Sequence, residues 1–225
     1  MIPVNDIRKF LNSLPPGIKL VAVSKTHTCG EIMEIYQAGH KIFGENRVQE
    51  LTYKYQQLPK DIEWHMVGHL QTNKVKYIAP FVHMIHSVDS MKLLMMINKE
   101  AAKLNRIIDC LLEIHIAGEI SKFGLNREEC KMFVRSDELK DLHNIRLTGL
   151  MGMASFTEDE QLIRSEFRDL RQMFDEIKNL DCQPQVQFTC LSMGMSGDYK
   201  IALEEGSTMI RVGTLIFGER IISAE

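Results

Sequence analysis

KLVAVSK, residues 19–25, is an apolar, β-branched run closed by a lysine, and segments of this kind recur along the chain. They stand at residues 41–44, 63–68 (EWHMVG), 83–88 (HMIHSV), 108–116 (IDCLLEIHI), 145–151 (IRLTGLM), 186–192 (VQFTCLS) and 208–213 (TMIRVG). Each is apolar at most positions rather than cleanly alternating, which is the pattern of strands covered on both faces. Between them lie amphipathic stretches. In residues 158–180, Leu162, Phe167, Leu170, Phe174 and Ile177 keep helical steps; in residues 90–105, Leu93, Leu94, Ile97, Ala101 and Leu104 do the same. Asp89 or Ser90 is placed to cap the second of these helices.

Strand–helix alternation sustained eight times implies an α/β fold: a single (β/α)8 TIM-type barrel spanning residues 1–225 as one domain. An open doubly wound sheet is the rival, because periodicity does not report closure. The 225 residues fall a little below the roughly 250 of a typical barrel. Little chain follows the last strand, so residues 5–14 are expected to fill the place of the missing outer helix.

A hydrophobic fraction of 44% supports a sizeable core, and a net charge of −3 without blocks of like charge disfavours nucleic acid and anionic membrane as partners. The five cysteines include no C-x-x-C pair, which fits free thiols in a reducing compartment. With no apolar signal core at the N-terminus and no run of about 20 apolar residues, the expectation is a soluble, cytoplasmic protein.

In such barrels the reactive groups sit at the C-terminal strand ends. Lys25 closes the first strand, where lost hydration favours a neutral, nucleophilic amine able to form a Schiff base with a sugar or a cofactor aldehyde. From position alone, a solvated lysine marking the strand end takes precedence. The last two strands run into LSMGMSGD (residues 191–198) and RVGTLIFG (residues 211–218). Glycines let backbone N–H groups approach an anion, and the loops after strands seven and eight are the recurrent phosphate site of barrels, so the pair favours a phosphorylated ligand. Arg211, two residues before Gly213, faces the same side of its strand and requires an acceptor. A structural ion pair with Glu45 or Glu113 is the alternative.

Taken in order, VAVSKT (residues 21–26), FGENRVQE (43–50), WHMVGHLQTNK (64–74), SKFGL (121–125), GLMGM (149–153), LSMGMSGD and GSTMIRVGTLIFGER (206–220) resemble the successive motifs of the pyridoxal phosphate (PLP) homeostasis family. That family is related in fold to the barrel domain of bacterial alanine racemase. The resemblance covers almost the whole chain. It implies that Lys25 carries pyridoxal 5'-phosphate as a Schiff base, that Ser192, Ser196, Gly213 and Thr214 contact its phosphate, that Arg211 faces the pyridine nitrogen, and that Asn46 lies close to the ring. His27-Thr28 stands where many members have a basic residue and a proline.

The resemblance also implies a monomeric holder of vitamin B6 aldehyde rather than a catalyst, with PLP-dependent apoenzymes as possible recipients. PLP enzymes usually keep the pyridine nitrogen protonated with an acid, whereas arginine has no proton to give at neutral pH. Alanine racemase shares such an arginine, but draws its second acid/base, a tyrosine, from a further domain. Here only Tyr199 among the five tyrosines stands near a catalytic-end loop. An amino-acid racemase is the second reading and a Schiff-base aldolase acting on a sugar phosphate the third.

Other polar and soft residues are assigned to structure. His65 and His69 straddle a strand end, and His83 and His86 fall on opposite faces of a strand, so no metal site is expected. Met151, Met153, Met193 and Met195 read mainly as adaptable core filling. Gly68, Gln71 and Asn73 are expected to shape the loop after the third strand.

Overall fold

The computed structural model describes residues 4–117 and 124–218. Its strands are β1 (Lys19–Val23), β2 (Ile42–Glu45), β3 (Glu63–Met66), β4 (Met84–Val88), β5 (Ile108–Ile114), β6 (Ile145–Gly152), β7 (Val186–Ser192) and β8 (Met209–Val212). All pair in parallel with their sequence neighbours, and β8 closes on β1 through the Leu20–Ile210 and Val21–Arg211 register. The barrel reading therefore holds over the open sheet.

Strand parity explains why these runs are apolar throughout. Leu20, Ala22, Trp64, Met66, Leu191, Ile210 and Val212 pack outward into the layer shared with the helices. Val21, Met84, Leu111, Met151, Cys190 and Met209 fill the cylinder. Successive side chains on a strand alternate between these two environments, and both are dry. The same parity turns Ser192 and Arg211 inward, in step with Cys190 and Met209.

The outer layer comprises α1 (Val4–Ser13), α2 (Cys29–Gln37), α3 (Val48–Gln57), α4 (Val75–Ile78), α5 (Met91–Ala102), α6 (Arg127–Arg135), α7 (Glu160–Lys178), α8 (Tyr199–Glu204) and the single turn α9 (Thr214–Phe217). Thr28 and Asn126 begin α2 and α6 with reciprocal capping boxes to Glu31 and Glu129. Ser90 is the N-cap of α5, although its hydroxyl donates to Asp89 rather than capping the helix.

After β8 only the one turn of α9 follows among the described residues, and α1 covers the gap. Ile7 is buried, the Phe10 ring meets Tyr199 of α8 edge-on at 5.7 Å, and Arg8 Nε donates to the Ala38 carbonyl after α2 at 3.3 Å. No helix among the described residues is long and apolar enough to cross a membrane. All five cysteines are free; burial pushes the Cys130 thiol up to about 12 and Cys190 up to about 11, far from reactive thiolates.

Candidate functional site

β1 ends at Val23, two residues earlier than its apolar run suggests. Lys25 then lies in a turn, Ser24–His27, closed by the His27 N–H donating to the Ser24 carbonyl at 3.0 Å. Its third residue, Thr26, adopts φ +70, a conformation that a β-branched side chain enters only under strain. Polar groups hold the turn in place. The Thr26 N–H donates to Glu50 Oε1 at 2.6 Å, and Lys54 Nζ donates to the Ser24 carbonyl, Glu45 Oε1 and Glu50 Oε1, each at 2.7 Å. The Ser24 hydroxyl completes the cluster on Glu45 at 2.6 Å. Backbone on both sides of Lys25 is thus clamped from beneath.

This cluster also corrects one alternative for Arg211. Glu45 follows the inward Gly44, so parity turns it outward to α3 and Lys54, away from the barrel axis. Burial pushes the Glu45 carboxyl up to about 7 against the pull of Lys54 and Ser24.

Arg211 is itself buried, and among the described residues no carboxylate makes a direct ion pair with it, although Asp198 and Glu113 act on its charge through space. Its Nη1 donates to the Ser192 carbonyl at 2.9 Å and hydroxyl at 2.7 Å, and its Nη2 donates to the Gly152 carbonyl at 3.0 Å. Neutral oxygens fix the guanidinium without cancelling its charge. Burial pulls its pKa down to about 10, which leaves it cationic near neutrality. Beneath it, Ser192 Oγ lies 3.3 Å from His86 Nδ1, and His86 Nε2 lies 2.9 Å from His65 Nδ1. A polar column therefore descends the barrel axis from Arg211.

Above Arg211, a cavity of about 470 Å³ opens at the C-terminal ends of the strands. Lys25, Asn46, Ser196, Arg211, Gly213 and Thr214 all line it. Ser192, also expected at the site, is fully buried below and reaches the cavity only through Arg211.

The loop after β7 turns at Gly194 with φ +98, where an added Cβ would sit 2.6 Å from the Ala202 methyl. This turn carries Ser196 to the Gly213 N–H, which donates to its hydroxyl at 3.3 Å. The first N–H groups of α9 have no intrahelical partners, as at any helix start. A hydroxyl, a glycine amide and the Thr214 hydroxyl thus converge at one edge of the cavity, and they can hold a phosphate. Asn46 is set by close backbone approach, since a Cβ at Gly68 would meet the Asn46 carbonyl at 2.6 Å. That supports a shaping role for Gly68.

Sequence reasoning missed the clamp formed by Lys54, Glu45 and Glu50, although Glu50 and Lys54 show helical i,i+4 spacing. It also missed His27, which lines the cavity, stacks on Phe217 at 4.5 Å and meets Glu31 at 3.1 Å. Asp198 lines the cavity as well and accepts the Met195 N–H. Residues 153–157 form the rim, where Phe156 is 99% exposed and Ser155 is held to Glu166 by its N–H at 2.8 Å and its hydroxyl at 2.7 Å. Met153 and Met195 border the cavity, whereas Met151 and Met193 are core. Ser121–Phe123 of the SKFGL motif and the final Glu219-Arg220 of the last motif lie outside the described residues.

The alanine racemase, N-terminal domain, family model matches residues 4–221. The pyridoxal phosphate homeostasis protein of Aquifex aeolicus (strain VF5) is 43% identical over 203 residues, 90% of this chain and 87% of its own length. The chain belongs to the pyridoxal phosphate homeostasis protein family. The homologue so named from Synechocystis is 37% identical over 95% of this chain and 96% of its own. Among solved structures, PipY of Synechococcus elongatus PCC7942, solved with PLP bound, superposes with a TM-score of 0.85 at 34% identity, covering 96% of this chain and 99% of that one. Alanine racemase of Clostridium difficile 630 shares the fold at 15% identity and a TM-score of 0.74, with this chain spanning 56% of its length.

Proposed function

We propose that this protein binds pyridoxal 5'-phosphate, holds it as a Schiff base on Lys25, and serves PLP homeostasis in the cell without strong catalytic activity. The observation that carries the reading is one cavity lined at once by an amine, a buried guanidinium and a hydroxyl–amide cradle. The residues present fit the cofactor. Lys25 supplies the amine, Arg211 offers charge to a ring nitrogen, Ser196, Gly213 and Thr214 suit the phosphate, and Asn46 lies beside the space left for the ring. PipY, solved with PLP bound, supports PLP as the ligand.

Bound PLP would supply an aldehyde that condenses with amines and a ring that withdraws electrons. The protein's own groups restrain that chemistry. Arg211 is cationic and has no proton to give the ring, which weakens stabilisation of a carbanion. Ser24, Glu50 and Lys54 fix the turn that carries Lys25, so its amine is presented in a set position. A racemase needs a second acid/base facing that amine. Tyr199 packs on Phe10 instead, His27 is engaged by Glu31 and Phe217, and Asp198 is held by the Met195 amide. These placements favour a holder of PLP over the racemase reading.

The test is a visible spectrum of freshly purified protein and of Lys25→Ala. The parent should show the yellow absorption of a lysine-bound aldehyde and the variant should lose it. A colourless parent trapped by borohydride only with a sugar phosphate would favour an aldolase.

A further inference from the structure

At the opposite end of the barrel, three side chains from two neighbouring strands converge. Glu63 opens β3, His65 follows two residues on, and His83 immediately precedes β4, its N–H donating to the Trp64 carbonyl at 2.8 Å. Each offers one ligand atom, and the three atoms lie within 4.8 Å of one another. The His65 and His83 rings are parallel, 5.7 Å between centroids and 3° between planes, and His83 Nε2 lies 3.6 Å from Glu63 Oε2.

An independent observation points to a ligand. His65 is buried, and its Nε2 has no hydrogen-bond partner, an expensive state for a nitrogen shut away from water. Its Nδ1 is engaged with His86 at 2.9 Å. If that Nδ1–H donates, Nε2 is left as a bare lone pair. Metal-bound histidines are arranged in this way, with the second nitrogen donating to a fixed acceptor.

We infer that Glu63, His65 and His83 form a binding site for a divalent transition-metal ion of the zinc class. Two imidazoles and one carboxylate select zinc, cobalt or nickel over magnesium or calcium, and three protein ligands leave a position for water. Binding would draw the ligand atoms to about 3.3 Å apart, as tetrahedral bonds of about 2.0 Å require. His83 and Glu63 are half-exposed at strand ends and are free to close on the buried His65. The site is independent of the cofactor reading, although its buried ligand leads through His86 and Ser192 to Arg211.

The experiment is titration of untagged protein with cobalt(II) or zinc(II) alone, followed by calorimetry and, for cobalt, visible absorption. His83→Ala and Glu63→Gln alter half-exposed positions, so both variants should fold. The parent should bind one ion, and each variant should bind on the order of tenfold or more weakly. No binding by the parent, or binding that either substitution leaves unchanged, overturns the site. So does a thiolate charge-transfer band, which would place the ion on a cysteine.

Discussion

Lys54 Nζ donates to the Ser24 carbonyl at 2.7 Å, tying helix α3 to the residue immediately before Lys25. Lys54 and Glu45 are almost wholly buried and share this contact with Glu50. A buried ion pair gains little over apolar packing, yet losing one partner strands the other. Lys54→Met should therefore cost about 3–5 kcal/mol, read from denaturant midpoints. Adding Glu45→Gln to it should cost less than the sum of the two single changes, because the charge left behind is removed. Additivity of the two would show that the pair does not act as a unit.

Arg211 lines the cavity and is held by neutral oxygens, with Asp198 and Glu113 acting on its charge through space rather than by direct ion pairs. Arg211→Gln should weaken PLP binding about tenfold or more, the worth of one charge-assisted hydrogen bond at roughly 1.5–3 kcal/mol. Titration of cofactor-free protein by absorbance checks this. Unchanged affinity would remove Arg211 from the site.

The Gly194 turn sets where Ser196 meets Gly213. Alanine there would combine φ +98 with an Ala202 contact of 2.6 Å. Gly194→Ala should destabilise the fold by about 1–3 kcal/mol and weaken binding of inorganic phosphate or PLP. A variant of parental stability with full affinity would mean that the loop is not constrained as described.

His65 and His86 are neutral inside the barrel, because burial pulls His65 down to about 3 and His86 well below its ordinary value. Unfolding restores a value near ~6.5. Between the two, the unfolded chain binds more protons, so stability is intact above that value and falls as pH falls through the window. Glu45 and Glu113 act oppositely: burial raises both to about 7, and they favour the fold as pH falls toward ~4.5. His86→Gln isolates one imidazole. Relative to the parent, the variant should gain stability as pH falls from about 7.5 to about 5, because it has one fewer imidazole to take up a proton on unfolding. An identical pH dependence in both proteins would contradict the buried neutral state.

The eight strands were legible because each is dry on both faces; parity put Arg211 and Gly213 on one side of the last strand, the strand-end rule pointed to Lys25, and Asn46 came from the motif resemblance alone. The strand ends were less so. Nothing in KLVAVSK announces that the chain leaves the strand at Val23 and that Thr26 takes a positive φ. The partners of Lys54 lie nine residues back in β2 and 30 back at Ser24, contacts that only the packing of α3 against the ends of β1 and β2 creates. The histidine column has the same origin: His65 and His86 stand 21 residues apart on adjacent strands and meet only in the register of β3 with β4. Motif reading placed Ser192 at the phosphate; its position below Arg211 depends on how deep each β7 residue sits in the barrel, which sequence does not report.

The central claim is tested most directly by reducing freshly purified protein with borohydride and mapping the modified peptide by mass spectrometry. A phosphopyridoxyl group on Lys25, absent from Lys25→Ala, is the expected result. Modification of another lysine, or none at all after incubation with excess PLP, would contradict the account.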